Sequence, residues 1–160
     1  VHIGYLDQSD VLDGYLTVGA AIVGDQADYG WARNPRIREI MGGLVSDVDW
    51  HANVHSLSGG QKRRVALAKL LIEDHDVIML DEPTNHLAVE GVAWLARHLK
   101  SRWRANQGAF LVVTHDRWFL DEVCTKTWEV HDGVVDPFEG GYAAYVLARA
   151  ERDRMAAVES

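Results

Sequence analysis

The sequence is poor in cysteine, in positive charge and in long apolar runs. Its single cysteine, Cys124, excludes an internal disulfide framework and fits a reducing cytosol. Sixteen Lys and Arg against 24 Asp and Glu leave a formal net charge of −8. Coating nucleic acid requires clustered basic side chains, so that role is disfavoured, and "QKRR" (61–64) is left as one candidate for a local basic face. The best uncharged run, Gly14–Gly24, falls far short of the roughly 20 residues that a spanning helix needs. No membrane partner is therefore expected for this piece, and no signal peptide is visible. A phosphate-cradling lysine loop, G-x-x-x-x-G-K-[ST], is missing as well. Lys62, Lys69, Lys100 and Lys126 are the only lysines, and none follows a glycine.

What is present reads as one ordinary globular domain: 160 residues, 48% hydrophobic and 25% charged. The chain opens "VHIGYLDQ", already inside a strand-like alternation and without an initiator Met, which looks like a cut. Residues 2–7 alternate as a strand with Ile3, Tyr5 and Asp7 on one face. Residues 11–45 suggest short helices separated by glycines, with Pro35 suited to a first helical turn. Ser58 is a good N-cap for a helix running to about Ile72. "VIML" (77–80) is a continuous apolar run bounded by charge, as expected of a parallel strand buried on both faces, and "AFLVVT" (109–114) reads as a second buried strand. Between them, Val89, Val92, Leu95, Ala96, Leu99 and Trp103 recur at helical spacing. "TWEVHDGVV" reads as a hairpin around Asp132–Gly133, a type I′ dipeptide. From Tyr142 onward the chain is helix-forming and increasingly charged, so it is expected to leave the domain. Alternating strands and helices make the class α/β, with parallel core strands plus a helical part.

Four short motifs carry chemistry. "VIMLDE" ends an apolar strand in two carboxylates, where open α/β sheets bind ligands. Asp81 there suits a Mg²⁺ ligand and Glu82 a general base; taken alone, the pair also reads as an acidic strand end turning at Pro83. In "LSGGQ" (57–61), two glycines after Ser58 let a backbone approach an anion, and the helix dipole beyond favours negative charge. The plain alternative is a glycine-rich turn with an ordinary cap. "VVTHD" puts His115 directly after a strand, able to donate to a phosphate oxygen or to serve as a turn histidine. Gln8 closes the first strand and could reach a metal or a water.

In that order and at these separations the four motifs resemble the ATP-binding cassette (ABC) ATPase family, a partial P-loop NTPase core. The resemblance implies that Gln8 is the Q-loop residue and Leu57–Gln61 the signature. It makes Asp81 and Glu82 the Walker B pair and His115 the switch histidine. "DEPTNHLA" and "THDRWFLDEV" are similar to the ABC-F subfamily, soluble proteins with two tandem cassettes. "FEGGYAAYVLARAERDR" resembles the exit of a first cassette into its linker in the Uup-like branch. The family's usual residue after "NHL" is Asp, and here it is Ala88; the departure bears on the D-loop contact across the dimer. The family places its lysine loop well upstream of Gln8, so the resemblance implies the C-terminal part of a cassette, without the Walker A half.

The expectations that follow are specific. Residues 1–24 would form the core strand and Q-loop, 25–71 a helical subdomain ending in the signature helix, 72–135 the core with Walker B, D-loop and switch histidine, and 136–160 the start of the inter-cassette linker. In the intact, cytoplasmic protein, ATP and Mg²⁺ would be held between this cassette and the second cassette of the same chain. Asp81, with Gln8, would bind the metal, Glu82 would polarise the attacking water, and His115 and Gln8 would sense the γ-phosphate. Ser58, Gly59, Gly60 and Gln61 would clasp the ATP held by the opposite cassette, with the ribosome as partner. The rival reading is the nucleotide-binding subunit of a membrane transporter. With its neighbouring strand absent, the 109–114 edge is expected to drive self-association or a local rearrangement toward 127–130. Two lesser signals have bland readings: His51 and His55, at metal-ligand spacing, as surface histidines, and Trp94, Trp103 and Trp118 as core or interface residues. Cys124 reads as a small core residue.

Overall fold

A computed structural model describes residues 1–7, 12–24, 33–104 and 106–159. The chain divides into two compact units, Val1–Thr114 and His115–Ser160.

The first unit is built on three parallel strands, β1 (Ile3–Leu6), β2 (Val77–Asp81) and β3 (Ala109–Val113), in the order β1-β2-β3. Tyr5 pairs with Met79 and Met79 with Leu111, so the register puts alternate residues of all three strands on one face. Gly4, Leu6, Ile78 and Leu80 lie on the face that is covered. Ile3, Tyr5, Leu111 and Val113 lie on the other and stay exposed, at 61%, 54%, 37% and 57%. The apolar runs at 77–80 and 109–114 therefore belong to strands that these residues cover on one face only, not to fully buried strands. Continuous hydrophobicity records that both faces are apolar; covering the second face is a tertiary event. β3 is the last strand of its sheet, and among the described residues no rearrangement extends the sheet beyond it.

Helices α1 (Val18–Val23), α2 (Pro35–Leu44), α3 (Gly59–Ile72) and α4 (Val89–Ser101) complete this unit. Thr17 caps α1, its hydroxyl accepting from the Ala20 N–H at 3.2 Å, and Asn34 caps α2, with Pro35 at the first helical position. Ser58 and Gln61 form a capping box at the start of α3. That helix buries Val65, Ala66, Leu67, Ala68, Leu70 and Leu71, more than one stripe, because it runs through the middle of the unit. α2 and α4 approach closely at Gly43, where a Cβ would stand 2.3 Å from the Trp94 indole. Leu95, Ala96 and Leu99 carry the buried stripe of α4, but Val89 at its start is 82% exposed. Trp103 lies just past the helix, stacked on Phe110 of the covered face with its indole N–H on the His75 carbonyl at 3.2 Å.

The carboxyl end of α3 is held by two guanidinium groups. Arg102 donates to the carbonyls of Leu71 and Glu73, both at 2.7 Å, and Arg36 reaches the Leu71 carbonyl at 3.2 Å and Asp74 at 2.8 Å. Positive charge at a helix C-terminus is favourable by about 0.3–1 kcal/mol per group. The crowding shows in the neighbours. Burial, then Arg36, lowers Arg102 to about 10, and burial, then Arg102 and Arg36, lowers His98 to about 4. His98 is therefore neutral near pH 7 and its Nε2, 3.0 Å from Arg102 Nη1, can accept.

The second unit holds α5 (Arg117–Val123), the hairpin β4 (Lys126–His131) and β5 (Val134–Glu139), and α6 (Tyr142–Glu159). The hairpin turns at Asp132 and Gly133, with φ of 49° and 75°, as the type I′ reading requires. Glu129 accepts from the Tyr145 hydroxyl and, at 2.5 Å, from Arg149; Phe138 meets Tyr145 edge-on at 5.0 Å. These contacts hold the first half of α6, a helix with no buried residue. Trp118 is 53% exposed rather than a core residue, since Phe119 takes the buried position beside it. Cys124, at the end of α5, is half-buried, and burial raises its thiol above the ordinary value.

Candidate functional site

The capping box gives the start of α3 its chemistry. The Ser58 hydroxyl accepts from the Gln61 N–H at 3.1 Å, while Gln61 Oε1 accepts from the Ser58 N–H at 3.0 Å. A hydroxyl that accepts one bond still has a proton to donate. Among the described residues nothing lies within 4 Å of where a Gly59 Cβ would stand, which leaves the helix start open to them. Backbone N–H groups at such an end have no intrahelical partner.

The carboxylates come from the end of β2. Asp81 is in register with Val113, on the open face of the sheet. Glu82 follows at φ 51°, its N–H donating to the Val113 carbonyl at 2.7 Å, and it is only 8% exposed. A non-glycine residue at positive φ is uncommon and marks a sharp change of chain direction. Two backbone bonds, Asn85 N–H to Glu82 and Leu87 N–H to Thr84, tighten the loop that follows.

Two links join the glycine turn to the acidic strand end. Arg63, one turn into α3, donates through Nη1 to the Asp7 carbonyl and through Nη2 to the Asp81 carbonyl at 2.6 Å. His86, at φ 66°, packs against Gly60, where an added Cβ would lie 3.3 Å from the imidazole Nδ1. Neither residue was singled out by the sequence reading. "QKRR" reads as a basic face, yet Arg63 turns to the strand ends and Arg64 to the Leu44 carbonyl at 3.0 Å and to Asp47. That pairing with Arg64 lowers the Asp47 carboxyl to about 2.

Ser58, Gly59, Gly60, Gln61, Asp81 and Glu82 thus all belong to the first unit. His115 is exposed and opens the second unit. Gln8 lies outside the described residues. His51 is exposed, and His55 sets Nδ1 3.0 Å from the Gly14 carbonyl. Among the described residues no helix is long and apolar enough to cross a membrane.

The sequence profile of the ABC transporter family matches residues 1–85. The chain belongs to the ABC transporter family. Its relatives include ATP-binding protein ChvD of Rhizobium radiobacter, 49% identical over 106 residues that cover 66% of this chain and 36% of ChvD. Energy-dependent translational throttle protein EttA of Mycobacterium tuberculosis is 52% identical over 99 residues, which cover 62% of this chain and 17% of EttA. The chain spans only a minor part of the length of these relatives, 36% and 17%. Among solved structures, the complex of an archaeal ribosomal stalk protein and the ribosome recycling factor aABCE1 matches with TM-score 0.73 and 26% identity. That match covers 94% of this chain and 30% of the other. An ATP-binding subunit of an ABC transporter matches with TM-score 0.71 at 18% identity, covering 86% of this chain and 59% of that one, and shows the fold alone.

Proposed function

We propose that this chain is part of an ATP-hydrolysing cassette of a soluble, cytoplasmic ABC-F protein that acts on the ribosome. The observation that carries the reading is the strand end. Asp81 faces the open side of the sheet, Glu82 is buried beside it, and Arg63 ties the first turn of α3 to the Asp81 backbone. Oxygen donors at a strand end suit a hard cation, and open backbone donors at a helix start suit phosphate, so these residues fit Mg²⁺ and ATP. Asp81, with Gln8, would hold the metal, which when bound neutralises charge on the transferring phosphoryl group. Glu82 polarises the attacking water, and His115 and Gln8 sense the γ-phosphate. Ser58, Gly59, Gly60 and Gln61 clasp ATP presented by a second cassette of the same chain, and α6 begins the linker toward it. The ribosome enters as partner because EttA is named as a translational throttle and aABCE1 as a ribosome recycling factor. The transporter reading is weaker: the solved transporter cassettes match at 18–25% identity, against 45–52% for EttA.

The test is Glu82→Gln in the full-length protein, with any other ATP site disabled. ATP binding should persist while hydrolysis falls about 10²–10⁴-fold, the range for a positioned general base. Hydrolysis within twofold of the parent would remove Glu82 from the role assigned here.

A further inference from the structure

We propose that Arg63 is a positioning residue for ATP hydrolysis. Its guanidinium ties the helix that begins with the glycine turn to the strand end that carries Asp81 and Glu82. This inference rests on the ATPase reading above and adds to it a residue outside the four motifs.

The geometry is a fork across two strands. Nη1 donates to the carbonyl of Asp7, at the end of β1, and Nη2 to the carbonyl of Asp81, at the end of β2. These acceptors lie 56 and 18 residues away in sequence, so one side chain fixes three elements at once. Carbonyls at the ends of adjacent parallel strands point the same way, which suits the planar, two-pronged donor of arginine and not the compact ammonium of lysine. Arg64 grips in another direction, its two terminal nitrogens on the two oxygens of Asp47 and one also on the Leu44 carbonyl. The neighbouring arginines thus clamp the first turns of α3 between the strand ends and the segment that follows α2. His86 against Gly60 adds a contact between the start of α3 and the loop that leaves Glu82.

The consequence is mechanical. A displacement of the glycine turn by bound phosphate is passed through Arg63 to the backbone of Asp81, whose side chain and neighbour perform the chemistry. Removing the fork leaves both carbonyls without these donors and lets the carboxylates shift against α3. A misplacement of about 1 Å can cost about 10²-fold in rate.

Arg63→Met and Arg63→Lys in the full-length protein test the idea, with steady-state ATP hydrolysis, MgATP affinity and thermal midpoint measured for each. Arg63→Met is expected to lower kcat about 10–100-fold with KM within about threefold, and Arg63→Lys to fall between Met and the parent. A kcat within twofold of the parent, a rise in KM with kcat unchanged, or a loss matched by the unfolded fraction overturns the proposal. Should Arg63→Met fail to fold, Arg63→Lys decides: full rate overturns the fork, a reduced kcat at unchanged KM supports it. Glu82→Gln, run alongside, separates this outcome from failure of the ATPase reading, since only that failure leaves its hydrolysis intact.

Discussion

The two faces of the three-stranded sheet are nearly equal in apolar content and opposite in fate. One face presents Gly4, Leu6, Ile78 and Leu80 and is buried, with His75 over Gly4 and Trp103 stacked on Phe110. The other presents Ile3, Tyr5, Met79, Leu111 and Val113, and Asp81 stands at its end. The covered face stabilises; the open face carries the metal-ligand candidate. Exposed apolar surface of this kind marks a place where something else packs. Asp81, the metal-ligand candidate, stands at the carboxyl end of that face.

The largest expected effect concerns the 160-residue chain on its own. Positioning is most of the catalysis in phosphoryl transfer, and these residues include no lysine loop. Calorimetry with MgATP should show no binding in the micromolar range and no turnover, whereas the full-length protein should show both. Micromolar affinity in the chain alone would mean that the open face needs no neighbour to hold nucleotide.

The faces themselves can be compared by paired truncations. Ile78→Ala should destabilise the 160-residue chain by about 2–4 kcal/mol, as for other buried Ile-to-Ala changes. Met79→Ala, next along the strand, should cost under about 1 kcal/mol there, and more in the full-length protein if the open face is covered there. Urea unfolding of both variants in both contexts gives the four numbers. Equal costs in the isolated chain would show that the open face is not open.

Solution behaviour sharpens the same contrast. β3 ends the sheet with exposed Leu111 and Val113, and an unpaired apolar edge is a template for another chain. Light scattering at tens of micromolar, roughly where exposed edges associate, should report self-association of the 160-residue chain. Val113→Lys should reduce it. A monomer throughout that range contradicts the expectation.

The smallest effect belongs to α4, whose Trp103 neighbour lies on the covered side. Its N-cap is Ala88, which offers no side-chain acceptor. Ala88→Asp should raise stability by about 0.5–2 kcal/mol through capping alone, with the thermal midpoint as readout. A neutral or destabilising change would mean that this position is held by something other than helix capping.

Much of this architecture was legible residue by residue. Ser58 as a cap, Pro35 at a first turn, the helix to Ile72 and the Asp132–Gly133 hairpin all rest on local rules, and local rules survive folding. What failed was non-local. Periodicity cannot say whether the second face of "VIML" finds a cover, nor that Trp118 points outward while Phe119 is buried. The charge run 62–64 looks solvated in sequence because nothing local shows that Arg63 reaches carbonyls 18 and 56 residues away. The paired motifs around Ser58 and Asp81 were visible; the side chain that joins them was not.

The register of the sheet also sets an order of events as the chain is made. Ile3 pairs with Val77, a separation of 77 − 3 = 74 residues, and Val77 pairs with Ala109, 109 − 77 = 32 residues on. At about 5–20 residues per second, β1 waits about 4–15 s after its own synthesis for its partner to be made. The hairpin pairs His131 with Val134, three residues apart, and closes in about 1–10 μs. The hairpin can therefore form from local contacts as soon as it is made, while β1 waits seconds for β2.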